Sequence, residues 1–273
     1  YSSQPLTLDP HMTTAVVTSD MMRGVFETLV TVDADYNFQP MLADTYDVNE
    51  DGTVITFHLR EGVMFHNGKE MTAEDVVASM NRWQDLSNRA DSFDGATFEA
   101  QDDYTVVLIL PEPMSTTFSV LTWMVGSYAA IMPKEVVEGA TDTGIEEYIG
   151  TGPFQFDEWK QDSYVKLTKF EDYQSRDEEA SGLAGKKEAL VDDVYFRIVT
   201  DPSTRVAGVM SGEYDIIHAT PYDYAETIEE NPNTENHTVP GSSYILVFNK
   251  KQGLFTDLKA REAARLALDN GLI

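Results

Sequence analysis

Five histidines are the side chains here best suited to metal ligation or general base work: His11, His58, His66, His218 and His237. None falls in a His-Glu-x-x-His pattern or another metal-ligand spacing, so each reads as an ordinary strand or loop histidine. His66 shares a turn with Asn67 and Gly68, which places it without assigning it a role. The serines have no Gly-x-Ser-x-Gly elbow to act from. No Gly-x-Gly-x-x-Gly or Walker-type loop offers backbone amides to a phosphate. With 47 Asp and Glu residues, any pair could be taken for a glycosidase dyad, so a pairing carries no information. The residues around Asn49 and Asp51 lack the twelve-residue calcium loop. Asn236-His237-Thr238 matches a glycosylation sequon over three residues only. There is no cysteine, which removes disulfides, thiolate zinc sites, Fe–S clusters and thiol nucleophiles together. The expectation is no catalytic residue, no metal and no cofactor. A large α/β chain without a catalytic constellation reads as a binding protein, its cleft lined by aromatic residues near hinge-like glycines.

The elements that would position such a cleft are legible in the periodicity. Asp51-Gly52 supplies a tight turn. After it Ile55, Phe57 and Leu59 alternate with Val54, Thr56 and His58, giving a strand with one apolar face. Thr72 is a good N-cap, with Glu74 and Asp75 in the first turn and Val76, Val77, Met80 and Trp83 on one helical face. Residues 105–110 read as a buried strand, and residues 132–149 as partly helical behind Pro133. Gly150-Thr151-Gly152-Pro153 is the strongest punctuation in the chain and reads as a domain crossing. Strands are expected at 165–168 and 194–199. A helix follows from Asp201 to Met210 with Gly212 behind it, and then a short strand at 214–217. That order predicts a parallel or mixed α/β sheet. Residues 174–188, charged and rich in Gly and Ala, read as an exposed loop.

Composition bounds the function. A length of 273 residues allows one large domain or two ordinary ones, at roughly 100–200 residues each. Hydrophobic residues make up 42 %, enough for a core, so global disorder is excluded as a description. With 19 Lys and Arg against 47 Asp and Glu, the formal net charge is −28, which repels a phosphate backbone and excludes nucleic acid as a partner. The longest uncharged stretch, 113–133, is broken by Ser, Thr and Gly. A span needs about 20 predominantly apolar residues, so this stretch reads as a buried, partly helical segment and no membrane insertion is expected. The chain opens on Tyr1 with no targeting segment and stops just after a helical pattern, which reads as a fragment at both ends.

Five stretches, in order, resemble the extracellular solute-binding proteins of ABC importers, in the peptide- and nickel-binding group called family 5. They are Leu6-Thr7-Leu8-Asp9-Pro10; Phe26-Glu27-Thr28-Leu29 with Pro40-Met41-Leu42-Ala43; residues 53–82, with Leu59-Arg60-Glu61-Gly62-Val63, Phe65-His66-Asn67-Gly68, Thr72-Ala73-Glu74-Asp75-Val76 and Arg82; Gly150-Thr151-Gly152-Pro153-Phe154; and Phe248-Asn249 followed by Phe255, Asp257, Arg261, Ala264, Ala267 and Asp269. The last resembles a strand and helix that open the family's third subdomain.

The resemblance implies an α/β fold like that of type II periplasmic binding proteins, with an extra inserted subdomain and most of the C-terminal lobe missing. Residues 1–38 and 151–245 would form the first lobe, 39–150 the inserted subdomain, and 246–273 the start of the opposing lobe. It implies a monomeric, non-enzymatic subunit held outside the cytoplasm, in the periplasm or as a cell-surface lipoprotein. Such a subunit captures short peptides between hinged lobes for a permease. A nickel chelate or an oligosaccharide bound by the same fold is the alternative, and a secreted hydrolase is the alternative of another class. The expected ligand contacts are Thr14, Val17, Met21, Thr220, Pro221, Ser242, Ser243 and Tyr244.

Overall fold

Alternating burial builds the central sheet. In a computed structural model that describes residues 1–238 and 245–269, Ile55, Phe57 and Leu59 point into the core from one strand while Val54, Thr56 and His58 face outward. The elements run α1 (Val16–Met22), β1 (Val30–Val32), β2 (Phe38–Pro40), β3 (Ala43–Val48), β4 (Val54–Leu59), α2 (Ala73–Leu86), β5 (Thr97–Asp102) and β6 (Thr105–Ile109). They continue with α3 (Thr117–Leu121), α4 (Lys134–Glu138), β7 (Phe154–Lys160), β8 (Tyr164–Lys169), β9 (Asp193–Arg197), α5 (Pro202–Ser211), α6 (Ala225–Glu229) and α7 (Leu258–Ala267). Three sheets form, ordered β1-β2, β3-β4-β6-β5 and β7-β8-β9. The register of the second is set by pairs such as Phe57 opposite Val106 and Ile55 opposite Leu108, which put apolar side chains together on the core face.

Helix α2 lies on that sheet. Val76, Ser79, Met80 and Trp83 are buried at i, i+3, i+4 and i+7, one stripe of the helix. Its start is fixed by Asp75, whose Oδ2 accepts from the Thr72 backbone and hydroxyl at 3.0 Å each. The other oxygen of Asp75 accepts from the Lys134 backbone at 2.8 Å and from Lys69 Nζ at 2.6 Å. The same carboxylate that caps α2 therefore anchors the start of α4. Ser79 adds a second tie to this segment, donating to the Met132 carbonyl at 2.9 Å and accepting from its N–H at 3.0 Å.

Two apolar cores result. One is centred on Phe57, Phe65, Trp83, Phe93 and Leu108; the other gathers Leu8, Met21, Met22, Phe26, Tyr128, Met132, Val165 and Leu167. Residues from the stretch 124–145, among them Met124, Tyr128 and Ile145, contribute to the second core.

Among the described residues every strand pairing is antiparallel, where the order of elements predicts a parallel or mixed sheet across 194–217. The cause lies after α5. That helix begins as expected, with Asp201 Oδ1 accepting from the Thr204 N–H at 2.7 Å, and stops at Gly212 in the left-handed region. The chain then folds back: Glu213 and Tyr214 both donate to the Gly208 carbonyl. A Cβ on Gly208 would lie 2.3 Å from the Tyr214 ring, so only glycine admits that ring against the helix. Tyr214 is thus spent on α5, and residues 215–217 form no strand.

The chain divides into two compact units, Tyr1–Ala225 and the segment from Glu226 on. In the second, α7 forms where the sequence predicts it, with Asp257 Oδ1 accepting from the Lys259 N–H at 2.8 Å. The strand expected at Phe248-Asn249 does not form, since residues 245–250 have no pairing partner among the described residues.

Candidate functional site

Thr14 and Val17 belong to a surface built around the loop of residues 123–127. Gly126 has φ +78°, and a Cβ there would lie 3.3 Å from the Thr14 Cα, so the loop passes directly against the backbone that leads into α1. Ser19 of α1 holds it, its hydroxyl accepting from the Gly126 N–H at 2.8 Å and donating to the Gly126 carbonyl at 3.2 Å. From the other side, Trp83 Nε1 donates to the Ser127 carbonyl at 3.2 Å, and the Ser87 and Ser127 hydroxyls meet at 2.8 Å. The loop, tied at both flanks, sends Met124 into the second core and turns its neighbours outward: Trp123 is 44 % exposed, with Val125 and, on α1, Val16 also exposed. The Arg89 guanidinium lies over the Trp123 ring, 4.3 Å from its centroid.

The expected contacts fall into three groups. Thr14 is exposed and Val17 half-buried beside this loop. Met21 is a correction: it is fully buried in the second core, one helical turn inward from Val17, and offers no surface to a ligand. Thr220 and Pro221, both half-buried, follow the segment 213–218 that lines a cavity of about 620 Å³ with Tyr1, Phe196 and Arg205. Among the described residues no hydrogen bond or ring contact joins them to Thr14 or Val17. Ser242, Ser243 and Tyr244 lie outside the described residues. Sequence reasoning missed Arg89 and Trp123. The available signal was a tryptophan in the uncharged stretch 113–133 and an arginine just past the end of α2.

The strip Gly150-Thr151-Gly152, expected from the sequence as a domain crossing, lies within one compact unit and is tightly framed. A Cβ on Gly150 would lie 2.0 Å from the Val25 carbonyl oxygen, and one on Gly152 2.3 Å from that of Gly24. His66 brackets this strip: its Nδ1 accepts from the Gly150 N–H at 3.2 Å and its Nε2 donates to the Gly152 carbonyl at 3.0 Å. Burial holds the ring's pKa at about 4, below the usual 6.5, so it is neutral at pH 7 with its proton on Nε2. Between those two glycines, Thr151 donates to Glu27 at 3.0 Å. Glu27 is fully buried and also accepts from Tyr173 Oη at 3.0 Å and Lys187 Nζ at 2.9 Å. The segment 174–188, expected as an exposed loop, is irregular but fastened. Lys187 holds it to Glu27, and Arg176 donates to the Met41 and Ala43 carbonyls.

Among the described residues no group of three or more His, Cys, Asp or Glu could hold a metal ion, and no helix is long and apolar enough to cross a membrane.

Residues 37–273 match the model for bacterial extracellular solute-binding proteins, family 5 middle. A probable peptide ABC transporter periplasmic-binding protein, y4tO of Sinorhizobium fredii, is 32 % identical over 273 residues, covering 93 % of this chain and 49 % of the relative. The glutathione-binding protein GsiB of Escherichia coli is 30 % identical over 269 residues, covering 96 % and 50 %. The solved periplasmic binding protein AgaA of A. tumefaciens R10, in complex with agropinic acid, superposes with a TM-score of 0.75 at 28 % identity, over 85 % of this chain and 45 % of that one. The chain spans about half the length of the relatives it matches. It belongs to the family 5 bacterial extracellular solute-binding proteins.

Proposed function

We propose that this family 5 protein is the substrate-binding component of an ABC importer, capturing short peptides outside the cytoplasm and delivering them to a permease. The observation that carries the reading is similarity along nearly the whole chain, at 30–32 % identity, to a probable peptide-binding and a glutathione-binding transport protein. The geometry is compatible with it. Thr14, Val17, Trp123 and Val125 present a mixed apolar and hydroxylic surface on a firmly held loop, suited to a peptide backbone and its side chains. In this reading residues 1–38 and 151–245 form one lobe, 39–150 an inserted subdomain, and 246–273 begin the opposing lobe that closes over the ligand by a hinge. The protein acts as a monomer and turns nothing over.

Calorimetry of the whole protein tests the ligand class, using di- to pentapeptides, glutathione, nickel–histidine, cello-oligosaccharides and an opine acid. The expected outcome is saturable binding of peptides. Binding of a metal chelate, a sugar or the opine acid with no peptide response would overturn the peptide assignment. Cleaved peptide in a mass spectrum would overturn the assignment as a binding protein.

A further inference from the structure

We propose that Arg89, braced on the ring of Trp123, is a subsite that reads a carboxylate of the captured ligand. The inference rests on the solute-binding reading above and deepens it by naming the ligand chemistry that this surface selects.

The first observation is an unused cation. In a chain with a net charge of −28, the Arg89 guanidinium has neither an ion pair nor a hydrogen bond among the described residues. Of the other arginines in the same unit, only the Arg197 side chain, 5.9 Å from the Tyr195 ring centroid, is likewise without an ion pair or hydrogen bond, and its Nε is not enclosed. Arg23 and Arg82 pair with Asp20 and Asp9, Arg176 pairs with Glu178, and Arg60 and Arg205 donate to backbone carbonyls. Arg89 Nε is shielded from solvent and has no acceptor. The two Nη groups, equally unpartnered but not enclosed, are the donors that an incoming anion would meet.

The second observation is the platform. The Arg89 guanidinium carbon lies 4.3 Å from the Trp123 ring centroid, so the cation rests on an aromatic face before a ligand arrives. The platform is itself fixed. Trp123 opens the loop held by Ser19, Trp83 and Ser87, and the Ser127 hydroxyl reaches the Asn88 side chain, next to Arg89, at 3.5 Å. The cation therefore borders the same loop that carries Val125 and abuts Thr14. A ligand lying on that loop meets an aromatic face and an unpaired cation together. The group that satisfies both is a carboxylate: a peptide C-terminus, an acidic side chain, or the acid group of a small non-peptide solute.

The test is fluorescence and calorimetric titration of the whole protein, wild type against Arg89→Gln, Arg89→Lys and Trp123→Phe, with thermal melts to confirm folding. The probes are an alanine tetrapeptide with a free C-terminus, its C-terminal amide, an amidated tetrapeptide carrying one Glu, glutathione, and an opine acid. The expected result is that the wild type prefers carboxylate-bearing probes, and that Arg89→Gln weakens these by about 10- to 100-fold while leaving the plain amide unchanged. Arg89→Lys recovers part of the loss, because it keeps the charge without the planar fork. Whichever carboxylate probe loses most in Arg89→Gln identifies the source. If peptides bind and Arg89→Gln changes free acid and amide alike, or neither, the subsite is overturned and the peptide reading stands. If only the opine acid binds, and binds in an Arg89-dependent way, the subsite holds and the peptide reading falls. If no probe binds the folded wild type, both are overturned.

Discussion

Asp9 and Arg82, 73 residues apart, meet in a two-pronged ion pair inside the protein, Nη1 to Oδ1 at 3.1 Å and Nη2 to Oδ2 at 2.5 Å. Asp9 is fully buried and Arg82 is 9 % exposed. The remaining capacity of the carboxylate is used by the backbone N–H groups of His11 and Ile145, both at 3.0 Å. Burial alone would raise the Asp9 pKa, but the hydrogen bonds and charge of Arg82 hold it below the ordinary value. Arg82 Nη1 also donates to His11 Nδ1 at 3.1 Å, which leaves Nε2 to donate to the Ala130 carbonyl at 2.9 Å. The cluster joins the N-terminal segment, α2, the 130 strip and residue 145.

Such a pair stabilises little relative to an apolar replacement, yet breaking it strands a charge. Arg82→Met should therefore cost about 3–5 kcal/mol, read as a lowered urea midpoint at pH 7. Combining it with Asp9→Asn should recover part of the loss, since no buried charge then remains. Equal stability of the single and double variants would show that Asp9 does not depend on Arg82.

The two glycines of the 150–152 strip should differ sharply from a third nearby. Gly150→Ala places a methyl 2.0 Å from a backbone oxygen that cannot rotate away, and Gly152→Ala is nearly as tight. Each should lose at least about 1–3 kcal/mol in denaturation. Gly24→Ala meets only the Phe154 and Leu167 side chains at 3.5–4.0 Å, ordinary contact, and should change stability by well under that. Similar losses at Gly24 and Gly150 would refute the close-approach account.

Much of this frame is legible in the sequence because it is local. The alternation of Ile55, Phe57 and Leu59, the stripe from Val76 to Trp83, and the Asp201 and Gly212 helix signals each need only a few neighbouring residues, and each forms as expected. What the sequence hides is long-range. Asp9 and Arg82 both stand in stretches that carry the family resemblance, yet nothing in either stretch says that they pair. Residues 214–217 have strand composition, but the Tyr214 ring finds a glycine on α5, and a tertiary contact overrides the propensity. The loop platform was equally hidden. Trp123 and Arg89 are 34 positions apart, and only the folding of 123–127 against α1 and the end of α2 brings them together. Met21 shows the reverse error, since a place near exposed Thr14 does not decide which side of α1 a side chain faces.

Lys187 should act as a latch on the segment 174–188. Its ammonium meets the fully buried Glu27 at 2.9 Å, with Tyr173 donating to the same oxygen. Burial, reinforced by the charge of Glu27, pushes the Tyr173 pKa well up, so its hydroxyl remains a donor. Lys187→Met leaves Glu27 buried with two neutral donors. The expected loss is about 1–3 kcal/mol, with faster trypsin cleavage at Lys186, inside the loosened segment. Tyr173→Phe should cost less, about 1 kcal/mol, because the charge pair survives. Unchanged proteolysis in Lys187→Met would mean that the other ties, among them Arg176 and the Arg60 bonds to the Gln174 and Ser175 carbonyls, hold the segment without it.

Two neutral histidines, His11 fully buried and His66 half-buried, predict how the fold responds to acid. His11 and His66 both have pKa values of about 4 against an ordinary 6.5, in each case chiefly through burial, with the Arg82 charge adding to it at His11. Asp9 opposes the shift at His11, as Glu27 does at His66. Each ring uses one nitrogen to accept, from Arg82 and from the Gly150 N–H respectively, so a second proton would destroy that bond. The unfolded chain takes up these protons near pH 6.5 and the folded chain resists until about pH 4. Unfolding thus binds protons, and stability falls as pH drops through that window. The stabilisation is complete above about pH 6.5, and each ring should lose roughly 2–3 kcal/mol of it at the acid end. Urea midpoints from pH 7.5 to 4.5 should therefore slope downward, and His66→Gln, itself less stable at pH 7.5, should show a clearly shallower slope. Asp9 does not blur this test, because its depressed pKa keeps it ionised throughout the range. A variant slope equal to the wild type would place the acid sensitivity elsewhere than at the His66 bracket.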